Sequence, residues 1–350
     1  MSAERLRVVV ANPFDERVAD VIRVREPRID LIVEPELLPP MRHAADYSGE
    51  PSFRRDAARR DRFRELIDSA DALYGIPDLD PAELARTVRA NPALRWVHTM
   101  AAGGGGQVKA AGLTTEELER VAFTTSAGVH GEPLAEFAIL GLFAAAKDLP
   151  RLRALQDARE WPGRWTMRQV SDLRVLVFGV GGIGRRVAAK ARALGATVVG
   201  VSRRNVELEE FDRIIAPDRV LEELRDIDAI VTTLPGTDAT DRMIGADVLA
   251  ALGPRGILIN VGRGTVIDEE ALHAYLMASP GATAVLDVFA VEPLPQSSPL
   301  WELPNLIASP HTAALTDAED RRIAELFADN AGRLLDGCEL RNRVDPVEFY

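Results

Sequence analysis

Leu173-Arg174-Val175-Leu176-Val177-Phe178-Gly179-Val180-Gly181-Gly182-Ile183-Gly184 is the stretch that decides the fold. A mostly apolar strand runs into a G-x-G-x-x-G turn. Such a glycine string is common and weak by itself. Here a helical segment, Arg185 to Leu194, and a second strand, Thr197 to Val201, follow it and complete a βαβ unit. Gly179 allows the tight turn, Gly181 lets backbone approach a diphosphate, and Gly184 lets helix and strand pack closely. Gly182 and Ile183 open the helix, whose free amides and dipole favour an anion.

Outward from that turn, strands are expected at 173–178, 197–201, 228–232, 256–260, 283–286 and 305–308, with helices at 182–194, 246–252 and 268–278 between them. Upstream lies a similar alternation. Strands are expected at Leu6–Ala11, Ile29–Val33, Ala72–Gly75, Leu94–Met100 and Phe123–Thr125. Helices are expected over Asp15–Val24 and Arg62–Ser69, and from Pro81 to about Ala90, where Asp80 stands as the cap. Pro39–Asp61, with little apolar periodicity, reads as an excursion with some helix, over a site or on the surface. Arg42, His43 and Tyr47 could line an entrance there, but read more simply as a solvated loop. Glu132–Lys147 is an alanine- and leucine-rich helix, apolar on most sides, which should be buried or lie in an interface. Pro150–Trp165 is a more polar segment. An amphipathic helix near 316–335 could fold back onto the first half. Strands alternating with helices make the chain an α/β protein with two open parallel sheets.

The bulk numbers agree with this. A chain of 350 residues is comfortable for two domains, and 47% apolar with 27% charged residues is a globular composition. A net charge of −12 argues against nucleic acid as a partner, while local arginines could still hold a small anion. The single cysteine, Cys338, can form neither an internal disulfide nor a cysteine metal cluster. No metal is expected. Met1-Ser2-Ala3-Glu4-Arg5 carries no apolar core of signal-peptide length, and no run approaches the roughly 18 apolar residues that span a bilayer. The expectation is a cytoplasmic protein with no membrane contact.

Four segments carry chemistry. The strand 197–201 ends in Ser202-Arg203-Arg204-Asn205, where NAD-preferring folds usually place a carboxylate for the ribose hydroxyls. Arginines there suit a 2′-phosphate, so NADP(H) is favoured over NAD(H). Asn260-Val261-Gly262-Arg263-Gly264 puts an arginine at a strand's carboxyl end, where open α/β sheets bind ligands and a guanidinium fork can grip a carboxylate. Leu286-Asp287-Val288-Phe289-Ala290-Val291-Glu292-Pro293 closes the next strand with two acids. Ser309-Pro310-His311-Thr312 follows the last one. A histidine on the same sheet edge as an arginine and a glutamate is a candidate general acid.

These motifs, with Thr232-Thr233-Leu234-Pro235-Gly236-Thr237 and Asn260 to Asp268, resemble the D-isomer-specific 2-hydroxyacid dehydrogenases from about Leu94 to Ala314. Within that family the chain resembles the glyoxylate/hydroxypyruvate reductases. The resemblance implies a Rossmann cofactor domain, 126–311, inserted into a flavodoxin-like substrate domain, 1–125, with a C-terminal helix in 312–350 returning to it. It implies Arg263, Glu292 and His311 as the catalytic set. A 2-keto acid would bind with its carboxylate on Arg263 and on the amides of Ala102 and Gly103. Besides the glycine turn and Ser202-Arg203-Arg204, the implied cofactor contacts are Leu234, Pro235, Val261, Gly262, Arg263, Asp287 and His311. A homodimer is implied, with the helix near 132–147 at or beside the interface. The family commonly has an aspartate after the carboxylate loop. Here Gly104-Gly105-Gly106-Gln107 follows, so a more flexible loop is expected. Three other readings stand beside this one: formate or phosphite oxidation, against which Glu292 argues; phosphoglycerate dehydrogenase; and a cofactor-sensing corepressor on the same fold.

Overall fold

The computed structural model describes residues 5–347 and Phe349. Met1–Glu4, part of the stretch read as lacking a signal, lies outside the described residues. The chain divides into two compact units, Met1–His130 with Leu315–Tyr350, and Gly131–Ala314.

The first unit is a five-stranded, wholly parallel sheet of β1 (Leu6–Val10), β2 (Ile29–Ile32), β3 (Ala72–Tyr74), β4 (Trp96–Thr99) and β5 (Ala122–Thr125), in the order β2-β1-β3-β4-β5. That is the flavodoxin-like order, with its reversal between β1 and β3. The strands are short, and β3 and β4 are wholly buried and β1 and β5 nearly so, as a sheet covered on both faces requires, while the edge strand β2 alternates buried Ile29 and Leu31 with exposed Asp30. The helix Glu319–Leu335 packs on the helix Ala19–Arg25 and closes this core. Its Phe327 stacks on Trp96 at 4.5 Å and meets Tyr74 edge-on at 4.9 Å.

The second unit holds seven parallel strands: β6 (Arg174–Phe178), β7 (Thr197–Val201), β8 (Arg213–Ile215), β9 (Ala229–Thr232), β10 (Ile257–Asn260), β11 (Thr283–Leu286) and β12 (Leu306–Ala308). Their order is β12-β11-β10-β9-β6-β7-β8, a Rossmann order with one strand added at the far edge. The direction of winding reverses between β6 and β9, where such sheets leave a crevice for ligands. The helix Gly131–Ala146 packs against the helix Gly182–Ala193 and against β10 and β11.

The structure differs from the sequence expectations in four places. Strand β8 was not expected: its three residues, flanked by charge, are too short to show a period. The glycine run after β4 is not a loose loop; Gly105–Ala110 is helical and anchored by buried Val108. Gly104 is required there, since a Cβ on it would lie 1.8 Å from Thr99 Oγ1. A further helix, Thr115–Arg120, starts with a capping box between Thr114 and Glu117. Finally, the excursion 39–61 is no plain solvated loop. Buried Asp46 accepts from the Arg42 guanidinium at 2.7 and 2.8 Å and from the Gly49 amide. The Tyr47 hydroxyl donates to buried Asp320 at 3.0 Å. Arg42 holds the Asp46 carboxyl well below the usual carboxylate range, and burial pushes the Tyr47 phenol up. The helix Ala57–Asp68 then begins inside the excursion, capped by Asp56.

Among the described residues no helix is long and apolar enough to cross a membrane, and no group of three or more His, Cys, Asp or Glu side chains could hold a metal ion.

Candidate active site

The carboxyl ends of the second unit's strands bring the sequence-predicted residues of that unit to one sheet edge. At the end of β6, Gly179 turns with φ +95°, where a Cβ would lie 2.7 Å from Thr233 Oγ1. A Cβ on Gly184 would lie 1.9 Å from the Gly179 carbonyl oxygen, so strand and helix could not pack as they do. Gly181, by contrast, has open space around its would-be Cβ and is exposed with Gly182. No side chain caps the helix Gly182–Ala193. A bare helix N-terminus behind an open glycine is a cradle for a diphosphate. The Thr233 hydroxyl ties the turn by donating to the carbonyls of Phe178 and Gly179 at 3.1 and 3.2 Å.

At the end of β7 the charge pattern is selective. Arg185 pairs with Glu210 at 2.6 Å, Arg192 with Asp212 at 3.3 Å, and Arg213 with Glu223. Arg203 and Arg204 are exposed, and among the described residues neither has a carboxylate partner. Ser202 Oγ accepts from the Arg204 amide at 3.0 Å and shapes this corner.

Arg263 follows β10 on a loop built by Asn260. The buried Asn260 side chain accepts from the Gly262 amide at 2.9 Å and donates to the Arg263 carbonyl at 3.0 Å. The flanking glycines are steric necessities. A Cβ on Gly262 would strike the Leu234 backbone at 2.5 Å, and one on Gly264 the Phe289 backbone at 1.8 Å. The Arg263 guanidinium is exposed, donates to the Gly262 carbonyl at 2.8 Å, and among the described residues has no ion-pair partner.

Glu292 and His311 meet. His311 Nδ1 lies 2.7 Å from Glu292 Oε2, and a carboxylate only accepts, so the proton of this bond sits on Nδ1. Glu292 Oε1 accepts from the Phe289 amide at 2.9 Å, which fixes the carboxylate. Their side chains are 47% and 34% exposed, enough for solvent or a substrate to reach the ring. His311 sits at φ +54°, a left-handed conformation rare for a residue with a side chain.

What holds that turn is Asp287. Its carbonyl accepts from the His311 amide at 2.9 Å. Its Oδ1 accepts from the Ser309 hydroxyl at 2.6 Å and from the amides of Thr312 and Ala313, each at 3.0 Å. Sequence reasoning gave Asp287 a cofactor contact only and missed this organising role; the Ser309 two residues before His311 was the available signal. Asn260 and Thr233 were likewise passed over. Asp287 Oδ2 is buried and among the described residues has no hydrogen-bond partner, an acceptor left for a donor such as a carboxamide. Open Gly181, two unpaired arginines and this orphaned oxygen together fit a nicotinamide dinucleotide. Leu234 is half-buried, Pro235 exposed and Val261 buried on the same edge.

In the first unit, Ala101, Ala102 and Gly103 follow β4 and are exposed. Gly104 and Gly106 amides donate to the carbonyls of Ala101 and Gly103, both at 3.2 Å, while among the described residues the amides of Ala102 and Gly103 make no backbone bond. Trp301 is 56% exposed and donates to the Pro295 carbonyl at 3.0 Å.

Comparison with known proteins matches residues 139–313 to the NAD binding domain of the D-isomer specific 2-hydroxyacid dehydrogenases. A glyoxylate/hydroxypyruvate reductase B of Serratia proteamaculans is 33% identical over 293 residues, 82% of this chain and 87% of that protein. Among solved structures, a D-isomer specific 2-hydroxyacid dehydrogenase of Xanthobacter autotrophicus in complex with NADPH and MES is 26% identical, with a TM-score of 0.76 over 99% of this chain and 100% of that one. A family protein from Aeromonas salmonicida is 25% identical, with a TM-score of 0.77 over 98% of this chain and 99% of that one.

Proposed function

Because the chain belongs to the D-isomer-specific 2-hydroxyacid dehydrogenase family, NAD(P)-dependent oxidoreductases that interconvert 2-keto and 2-hydroxy acids, we propose that Arg263, Glu292 and His311 carry its chemistry. The observation that carries this is the 2.7 Å bond that fixes His311 on Glu292 beside an unpaired arginine loop.

Arg263 grips the substrate carboxylate and polarises the neighbouring carbonyl, a task suited to a planar, permanently charged fork. Glu292 holds the Nδ1 proton, which turns Nε2 of His311 outward as the proton donor. As the keto carbon is reduced, the Nε2 proton passes to the carbonyl oxygen and yields a hydroxyl. The half-exposed ring then regains its proton from solvent. A bound nicotinamide supplies the hydride. Gly179, Gly181, Gly182, Ile183 and Gly184 would cradle its diphosphate, and Asp287 Oδ2 would accept from its carboxamide. Val261 and Gly262 would lie near its ring, with Leu234 and Pro235 along its length. In the first unit, the free amides of Ala102 and Gly103 are assigned to the substrate carboxylate as a small anion nest.

Ser202, Arg203 and Arg204 make NADPH the preferred partner, since two unpaired guanidiniums beside a helix N-terminus attract a 2′-phosphate. The double substitution Arg203→Ala, Arg204→Ala is expected to raise KM for NADPH about 10- to 100-fold and leave KM for NADH nearly unchanged. Equal effects on both would remove the preference. Glyoxylate and hydroxypyruvate head the substrate proposal, after the relatives named for them. The direct test is oxidation of NADPH and of NADH with glyoxylate, hydroxypyruvate and phenylpyruvate. No turnover with any of these would overturn the reading.

A homodimer is also proposed. Leu140 and Phe143 stand 52% and 39% exposed on the helix Gly131–Ala146, and Leu149 and Leu152 continue that apolar surface onto the next helix. Sedimentation of the purified chain at twice its 38.2 kDa mass is the expected result.

A further inference from the structure

The second unit contains a cavity that the proposed chemistry does not use. It opens at the amino ends of β11 and β12, beside Thr283 and Asn305, on the sheet edge opposite the glycine turn. Its volume is about 690 Å³, within the usual range for a small-molecule site.

The charges around it are unbalanced. Arg151, Arg168 and Arg255 line the cavity against one acid, Asp148. Arg151 spends its guanidinium over the Trp165 ring, 4.1 Å from the centroid, and reaches Asp148 only at 3.9 Å. Arg168 is largely buried, and among the described residues its one carboxylate neighbour, Asp228, lies at 3.8 Å. Burial lowers the Arg168 guanidinium pKa, with the charge of Arg255 acting in the same direction against a partial offset from Asp228. Arg255 is exposed and among the described residues has no carboxylate partner. One further group wants an acceptor: the indole N–H of Trp165 is buried and among the described residues has no hydrogen-bond partner. A buried donor without an acceptor, on a residue that lines a cation-rich cavity of a chain whose net charge is −12, marks a place for an anion. Between these groups the wall is apolar, with Ala146, Ala154 and Leu303 among its residues.

We propose that this cavity binds a small organic anion, its carboxylate or phosphate head held by Arg168, Arg255 and the Trp165 N–H and its apolar body lying against the alanine and leucine wall. The site is separate from the proposed active site and does not depend on it. Phenylacetate serves as the probe, with inorganic phosphate as the anion lacking a body. Calorimetric titration of the whole protein should show saturable binding of phenylacetate, with Kd on the order of 1 mM. Arg255→Ala, an exposed change that leaves the core untouched, should weaken it at least tenfold. Trp165→Phe, which keeps the ring beneath Arg151 but deletes the donor, should weaken it several-fold. Phenylacetate could also find the proposed catalytic arginine, so the titration is repeated on Arg263→Ala, where affinity should be unchanged. Loss of binding in Arg263→Ala, unchanged binding in Arg255→Ala, or no saturable heat up to about 20 mM would each overturn the proposal. Phosphate binding as tightly as phenylacetate would overturn the part assigned to the apolar wall.

Discussion

His311 and His98 are the same residue set in opposite surroundings. His311, in the second unit, shows a ring 47% exposed and donates from Nδ1 to the Glu292 carboxylate. His98, on β4 of the first unit, is fully buried among Trp96, Tyr74 and Phe327, and its two nitrogens meet hydroxyls. Its Nε2 lies 3.1 Å from Ser126 Oγ, whose own proton goes to the Thr99 carbonyl; Nε2 must therefore donate. Its Nδ1 accepts from the Thr124 hydroxyl at 2.8 Å, and Thr124 in turn accepts from the Trp96 indole. Every donor and acceptor in that chain is satisfied only if His98 is neutral. Burial pushes its pKa down to about 3. A carboxylate partner at the surface suits a histidine to the proton transfer proposed for His311; hydroxyl partners in a dry core make His98 a strut.

The contrast can be broken by substitution. The largest effect is expected from His311→Ala: kcat for keto-acid reduction should fall about 10²- to 10⁴-fold, with the melting temperature nearly unchanged. A loss under tenfold would deny His311 the role of proton donor. His98→Leu should do the reverse. It strands Thr124 and Ser126 without their partner, and we expect about 3 kcal/mol lower stability in urea unfolding, with kcat per folded molecule kept. A fall in kcat with stability intact would show that His98 reaches the chemistry.

The third test uses pH. His98 cannot take a proton in the fold above about pH 3, whereas the unfolded chain takes one near 6.5. The folded pKa is the lower, so the unfolded state binds more protons between these values. The contribution is fully present above pH 6.5 and is lost as pH falls, by about 1.4 kcal/mol per unit well below 6.5. Between pH 7 and 4.5 the native protein should therefore lose roughly 2 to 3 kcal/mol more than His98→Leu does. Parallel pH profiles for the two would refute the assignment. The smallest effect belongs to Glu292→Gln, which can still accept from Nδ1 but carries no charge. We expect kcat to fall about tenfold to thirtyfold, while His311→Ala falls much further. Equal losses would mean that Glu292 does more than hold the ring.

The two histidines were not equally legible. His311 stands in Ser309-Pro310-His311-Thr312 just past an expected strand, so its place at the sheet's carboxyl edge could be read from the chain. His98 was read only as part of a strand, because its partners Thr124 and Ser126 lie 26 and 28 residues away. The same distance effect hid other features. Asp46 and Tyr47 pin the excursion 39–61, but the acid that receives Tyr47 is 273 residues on. Asp287 looked like a cofactor contact, while its bonds to Ser309, Thr312 and Ala313 appear only once β11 and β12 lie side by side. The run Gly104-Gly105-Gly106-Gln107 suggested a more flexible loop because it stands where the resembled family commonly has an aspartate. The helix forms because Gly104 must pass close to Thr99 and because Val108 is buried.

The sequence by itself determined the alternation of strand and helix, the glycine turn with its helix, and the strand ends at which Arg263, Glu292 and His311 stand. Those properties are local: side-chain period, glycine placement and capping act over a few residues. Only the tertiary structure decided the strand orders, which arginines are already paired and which are free, and which histidine is dry and which is wet. Protonation, desolvation and ion pairing depend on neighbours that the chain brings together from far apart, and no local pattern records them.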